Sequence, residues 1–266
     1  MKKEVFIMHD FKALCRQAHT LVIFKSLHEV PVFEKLLDTL AVCESDSDMA
    51  IEKYSDFVAE LFAYSDNLTE YMLKLVLENE NLFMLKKGEG KETGALLEEC
   101  LANELAVIEE LSQIPSDEII SKIDYDGFLP RYATQKLDFS QIYADRIHAI
   151  GQYGYGIYSQ YHVFVIKDGK IVPVEYPDDI KLSDLHNYER ERQEVINNTL
   201  ALLKGKPANN VLLYGDCGTG KSSTVKAIAN EYACKGLRLI ELKKKQLHEI
   251  PALSLIHISS PRDGLL

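Results

Sequence analysis

The chain has 266 residues and 46% hydrophobic content, enough for one large or two ordinary domains with real cores. Thirty basic against 41 acidic residues give a formal charge of −11, which argues against a general nucleic-acid binder that must neutralise phosphates and leaves room only for a local basic patch. The five cysteines are odd in number, scattered and free of C-x-x-C pairs, and no stretch reaches the ~18 apolar residues of a membrane span, so a cytoplasmic protein without disulfide framework, zinc site or membrane anchor is expected.

Residues 1 to 150 read as a helical N-terminal domain. Ile51, Tyr54, Phe57, Val58, Leu61 and Phe62 recur at three- and four-residue spacing, as do Leu96, Leu97, Leu101, Leu105, Ile108 and Leu111. Pro31 suits a first helical position, Asn67 and Ser140 suit N-caps, and Gly88-Glu-Gly90 marks a helix end. Glu98, Glu99, Glu104, Glu109 and Glu110 read as a solvated helix face without function.

Residues 151 to 180 form a second segment. Seven of the chain's fourteen tyrosines lie between Tyr125 and Tyr161, around Gly151-Gln-Tyr-Gly-Tyr-Gly156. Such a cluster either stacks on bases or packs a turn against a core, and the acidic net charge favours packing. Tyr161 to Tyr176 reads as a hairpin, because Asp168-Gly169 suits a two-residue type I′ turn; Pro173 then belongs on a sheet edge.

From 181 to 252 the pattern changes to α/β. A helix carries Gln193, Val195, Ile196 and Leu200, a short turn follows, and Asn210-Val-Leu-Leu-Tyr214 reads as a buried strand. Then comes Gly215-Asp216-Cys217-Gly218-Thr219-Gly220-Lys221-Ser222, the phosphate-binding pattern G-x-x-x-x-G-K-[ST]. Glycines at 215, 218 and 220 allow positive φ and turn successive N–H groups into a concave nest for β- and γ-phosphates. Lys221 adds a mobile cation for the same oxygens, and the Ser222 hydroxyl stands where it can ligate Mg²⁺, with Ser223 beside it. A helix bearing Val225, Ile228, Ala229 and Tyr232 at helical spacing directs its positive end at the phosphates and closes at Lys235-Gly236; Leu237 to Leu242 reads as the next strand. The expected ligands are ATP and Mg²⁺.

The linker Leu182-Ser-Asp-Leu-His-Asn-Tyr-Glu189, the helix after it, the turn and the loop together resemble the AAA+ ATPases. Within them, Tyr161 to Pro251 is similar to a bacterial branch, the DUF815 ATP-binding proteins, chiefly through Asn209 to Ser223 and Gly236 to Glu241. The resemblance covers about a third of the chain. It implies a linker around Asn187, Tyr188 and Glu189 that folds over the adenine, an oligomeric parent that remodels a protein or nucleic-acid partner, and a downstream acidic Mg²⁺-binding strand, polar sensor and trans-acting arginine. Two positions depart from the family pattern. Asn187 stands where Gly is common and tolerates the same left-handed turn; Cys217 stands where a larger basic residue is common, so no phosphate contact is expected from that side chain.

Residues 253 to 266 look foreign: Leu253 to Ile258 resembles the translation of a tagmentation adapter used in shotgun sequencing, and Ser259 to Leu266 fits its continuation. On that reading the ATPase domain is truncated near Ala252, and the chain binds but does not hydrolyse ATP. The expected fold is α+β, with a helical domain, a hairpin and the start of a P-loop domain. Two other readings stay open: a P-loop kinase or GTPase-type switch, disfavoured by the AAA+-like linker at 182 to 189 and, for a kinase, by some 210 preceding residues, and a helical interaction protein with a non-catalytic nucleotide site.

Overall fold

The computed structural model describes residues 9–88 and 90–249, so the tail read as foreign lies outside the described residues. The chain divides into two units, one made of residues up to Phe83 and Thr93 to Asp145, the other of Met84 to Glu92 and residues from Arg146 on.

The first unit is helical: α1 (Phe11–Ala18), α2 (Pro31–Val42), α3 (Ser47–Phe62), α4 (Leu68–Glu78), the start of α5 (Leu82–Gly88), α6 (Ala95–Ser112), α7 (Ser116–Ile120) and most of α8 (Phe139–His148). Side-chain oxygens of Asp10, Asp46 and Asn67 accept the free first-turn N–H groups of α1, α3 and α4, and Pro31 sits at the start of α2 as its fixed φ suits. The α8 cap differs from expectation. Asp138 accepts from the Gln141 N–H at 2.8 Å, so the cap lies two residues before Ser140, and a carboxylate takes the role at the positive helix end.

In α3 the predicted stripe is the core, with Tyr54, Phe57, Val58 and Leu61 buried, while Phe62 remains half exposed. In α6 only the later half is core. Leu105, Ile108 and Leu111 are buried, whereas Leu96 is 80% exposed, because that end of α6 runs past its neighbours into solvent. The acidic face also needs correction. Glu104 is buried and accepts from the backbone N–H groups of Val22, Ile23 and Phe24 at 2.8–3.1 Å, and Glu109 accepts from Phe139 N at 2.7 Å. These two carboxyl groups satisfy turns that have no ladder of their own.

The second unit carries α9 (Ile150–Tyr153), α10 (Ile157–Gln160), β1 (Val163–Lys167), β2 (Lys170–Pro173), α11 (Glu189–Leu203), α12 (Lys221–Tyr232) and β3 (Leu239–Glu241). The hairpin forms as read: Asp168 and Gly169 take φ 51° and 72°, and Phe164 pairs with Pro173 on an edge strand. The hairpin does not stand apart, however. Its β1 pairs in parallel with β3, Val163 opposite Leu239, giving the order β2-β1-β3.

The Gly/Tyr segment packs beneath this sheet. Tyr158 lies against Tyr155 and Phe164, Arg146 sits 4.4 Å over the Tyr153 ring, and Gln152 donates to the Cys234 carbonyl. Arg238 gathers the strands' approach, its guanidinium donating to the carbonyls of Tyr153, Tyr158, Ala233 and Leu237. Burial and the nearby Arg146 charge lower its pKa. Gly236, at φ 96°, is required there, because a Cβ would meet the Gly151 carbonyl oxygen at 2.9 Å.

The reading of Asn210 to Tyr214 as a buried strand is overturned. No described strand pairs with it, Leu212 is 83% exposed and Tyr214 88% exposed. An apolar β-branched run becomes a strand only when another strand takes its backbone groups, and among the described strands β3 pairs with β1 and none pairs with this run.

Candidate phosphate-binding loop

The loop runs from Gly215 to the first turn of α12. Gly215, Gly218 and Gly220 take φ 142°, 83° and 77°, the left-handed values that glycine alone adopts freely. A Cβ at Gly218 or Gly220 would meet nothing within 4 Å, so backbone conformation rather than crowding calls for glycine there. Thr219 steadies the turn by donating to the Asp216 carbonyl at 2.9 Å. Among the described residues, no hydrogen bond within the protein uses the backbone N–H groups from Gly215 to Lys221.

Lys221 is folded back on the loop. Its Nζ donates to the carbonyls of Gly215 at 3.0 Å and Asp216 at 2.6 Å and to Thr219 Oγ1 at 3.1 Å. Asp216, Cys217, Gly218 and Ser222 are exposed, and Thr219, Gly220, Lys221 and Ser223 are half-buried. The donor set suits a polyphosphate: free N–H groups at the positive end of a twelve-residue helix, one cation and one hydroxyl. For a divalent ion the chain offers the Ser222 hydroxyl; among the described residues no cluster of three or more His, Cys, Asp or Glu side chains stands ready to hold a metal.

Three features that support the loop carry no sequence motif. The segment entering it is clamped to α11 by a reciprocal amide pair, with Asn198 Nδ2 donating to the Asn209 carbonyl at 2.7 Å and Asn209 N to Asn198 Oδ1 at 2.9 Å. On α12, Asn230 donates to the carbonyls of Asp178 and Ile180 at 2.8 and 3.0 Å, with His162 Nε2 3.0 Å from its oxygen. Lys226 pairs with Asp178 at 2.7 Å, which raises the lysine's pKa. Between α12 and the end of the hairpin lies a cavity of about 100 Å³ lined by Val163, Tyr176, Lys226 and Glu241 among others, too small for a nucleoside triphosphate.

The linker enters from this anchor through a 3-10 turn, Leu182–Asp184, which packs on α12 and is closed by Lys181 N donating to Asp184 Oδ2. Asn187 and Tyr188 follow in the left-handed conformation, φ 63° and 60°. No hydrogen bond among the described residues joins either of them to the loop; both are tied to α11. In the helical unit, a cavity of about 530 Å³ is lined by Glu109, Glu110 and Asp138 beside His9, a charge that suits no triphosphate.

These features fall in the part of the chain that resembles known proteins. Residues 159–262 match the family described as "Protein of unknown function (DUF815)". A stretch of 63 residues is 41% identical to the replication factor C large subunit of Staphylothermus marinus, covering 23% of this chain and 14% of that protein. The chain thus spans a small fraction of that relative's length. No solved structure matches the chain. No described helix is long and apolar enough to cross a membrane.

Proposed function

We propose that this chain binds ATP with Mg²⁺ through Gly215, Asp216, Cys217, Gly218, Thr219, Gly220, Lys221, Ser222 and Ser223, and that it derives from an AAA+-like ATPase whose parent couples hydrolysis to remodelling of a protein or nucleic-acid partner. The observation that carries the binding reading is the row of free backbone N–H groups, shaped by three positive-φ glycines and backed by the N-terminus of α12. The similarity to DUF815 and to part of a replication factor C large subunit supports the family reading.

In this reading the backbone of residues 216 to 220 takes the β- and γ-phosphates by main-chain bonds, Lys221 leaves the loop carbonyls for phosphate oxygens, and Ser222 holds Mg²⁺. When bound, the ion would supply charge neutralisation for the phosphates. Asn187 and Tyr188 contribute to the base side. Hydrolysis needs further acidic groups to hold the ion and orient water. Those groups are not among the residues proposed here, so the proposal extends to binding and leaves turnover to a phosphate-release assay.

Calorimetric titration of ATP tests the site. Ser222→Ala should weaken binding in Mg²⁺ and leave it unchanged in EDTA. Equal loss in both media would remove the metal role, and no binding by the unaltered chain would remove the function.

A further inference from the structure

Five lysines meet at one end of the small sheet. Lys167 and Lys170 are the last pair of the hairpin, directly opposite each other across the Asp168-Gly169 turn. β3 runs parallel to β1 with Glu241 opposite Val165, and the same register two residues further on brings Lys243 beside Lys167. Lys244 and Lys245 follow, where the chain leaves β3 for a 3-10 turn, Lys244–Glu249. Gln246 holds this segment to the hairpin. Its Oε1 accepts from the Lys243 N–H at 3.1 Å, and its Nε2 donates to the Ile166 carbonyl at 3.0 Å. Adjacent strands lie about 4.8 Å apart, so the three chain segments place these lysines across about 10 Å of sheet.

All five are exposed, and among the described residues neither they nor Asp168 in the turn make an ion pair. Like charges directly opposite on a strand pair are destabilising, so Lys167 and Lys170 carry a cost that no carboxylate offsets. Two ordinary uses of surface lysine do not account for it. Lysine guards a sheet edge against stray pairing, but β1 is the central strand of the order β2-β1-β3, and Lys243 to Lys245 lie past the end of β3. Charge also keeps a protein soluble, but in a chain of formal charge −11 these cations bring the net charge closer to zero.

The residue types narrow the partner. Lysine is a compact point charge with rotatable donors that meets a phosphate from many directions, whereas base edges are read by flat forks such as those of Arg, Asn and Gln. Residues 167–170 and 243–246 include no arginine and no aromatic ring, and Gln246 spends both ends of its amide within the protein. The turn also offers no apolar residue to enter a bilayer, and a membrane plane would face the acidic remainder of the chain as well. A polynucleotide concentrates its charge, about one per 1.7 Å of duplex axis, and can touch this end alone.

We propose that this end of the sheet is a surface that binds the phosphate backbone of a nucleic acid without reading its sequence. The inference goes beyond the ATP site, since it uses none of the loop residues and needs no bound nucleotide.

Fluorescence anisotropy on the full 266-residue chain in EDTA tests it, with a labelled duplex DNA of about 20 base pairs and one of its strands alone as probes. Affinity should be indifferent to sequence. On the duplex its logarithm should fall against log salt with a slope of about −3 to −4.5, roughly a hundredfold loss between about 50 and 200 mM. Lys243→Gln, Lys244→Gln and Lys245→Gln together, or Lys167→Gln with Lys170→Gln, should lower affinity at low salt at least about tenfold and flatten the slope by about one for each lysine engaged. Arginine at the same positions keeps the charge and should keep the binding. The melting temperature should hold in every variant and rise where the Lys167–Lys170 repulsion is relieved, a combination that a structural role would not give. ATP titration of the same variants should match the parent, so failure of the ATP reading and failure of this one are separately visible. No binding to either DNA at low salt, or binding that the glutamine variants leave unchanged, overturns the proposal. Binding to polyglutamate or to phosphatidylserine vesicles as tight as to DNA overturns it too, and would make the surface a contact for acidic proteins or membranes.

Discussion

Replacing Lys221 with Ala exposes the logic of the loop, because the amine has two alternative sets of partners. Without ligand it bonds two carbonyls and one hydroxyl at 2.6–3.1 Å, all at the edge of solvent. Each such bond has a charged donor and contributes about 1.5–3 kcal/mol at most, and exposure lowers this. With a triphosphate in the loop, as proposed, the same amine would meet anionic phosphate oxygens, and a bond with charge on both partners is stronger than one to a neutral carbonyl. The variant loses the difference, about 2 kcal/mol, which corresponds to about thirtyfold in affinity. The loss should shrink with added salt, since the loop is exposed. Stability should hardly change, because Lys221 is half-buried and its loss leaves carbonyls that water reaches. The assay is calorimetric titration of ATP in Mg²⁺ at two salt concentrations, with thermal melting as the control. Arginine at 221 should not restore affinity, as its fork is too wide for a nest sized to one ammonium. A folded Lys221→Ala chain that binds ATP within about twofold of the parent would refute the reasoning.

Two further outcomes are expected. Glu104→Ala should destabilise the helical unit by about 3–5 kcal/mol, because it strips the acceptor from three backbone N–H groups, two of them buried; Glu104→Gln, which keeps one oxygen, should lose roughly half as much, and a loss below about 1 kcal/mol in urea melts would show that water replaces the carboxyl group. The 266-residue chain should bind ATP without releasing phosphate above background, and steady turnover in a phosphate-release assay would overturn the expectation that it binds without hydrolysing.

Local signals were legible where a few neighbouring residues decide the conformation. The Asp168-Gly169 turn, the Asn67 cap, the Pro31 start and the positive φ of Gly215, Gly218 and Gly220 all follow from backbone preferences within four residues. Asn187 likewise takes the left-handed turn expected of it. What remained hidden depends on partners far along the chain. Glu104 looks like its exposed neighbours on α6 until the 22–24 turn brings three N–H groups to it, and Arg238 shows no motif because its four acceptors are main-chain carbonyls. Arg192 is hidden for the same reason: a charge pattern foretells carboxylate partners, not carbonyls.

The segment before the loop shows how far local reading reaches in the opposite direction. Val211, Leu212, Leu213 and Tyr214 have the composition of a buried strand, and exposure along them alternates as an extended chain requires, from 42% at Val211 to 83% at Leu212. Extended shape is local, but burial and pairing are not. The one described strand from the loop's own region, β3, pairs instead with the hairpin at β1, across more than seventy residues of sequence. The loop therefore draws its present support from α12 behind it and from the Asn198–Asn209 clamp before it, not from a sheet. This division has a functional meaning. The features that bind a triphosphate need only a helix N-terminus and a correctly turned backbone, whereas aligning water and metal for attack needs groups fixed on neighbouring strands. The binding proposed for this loop therefore asks nothing of the sheet, and hydrolysis would ask for groups on strands that do not flank it among the described residues.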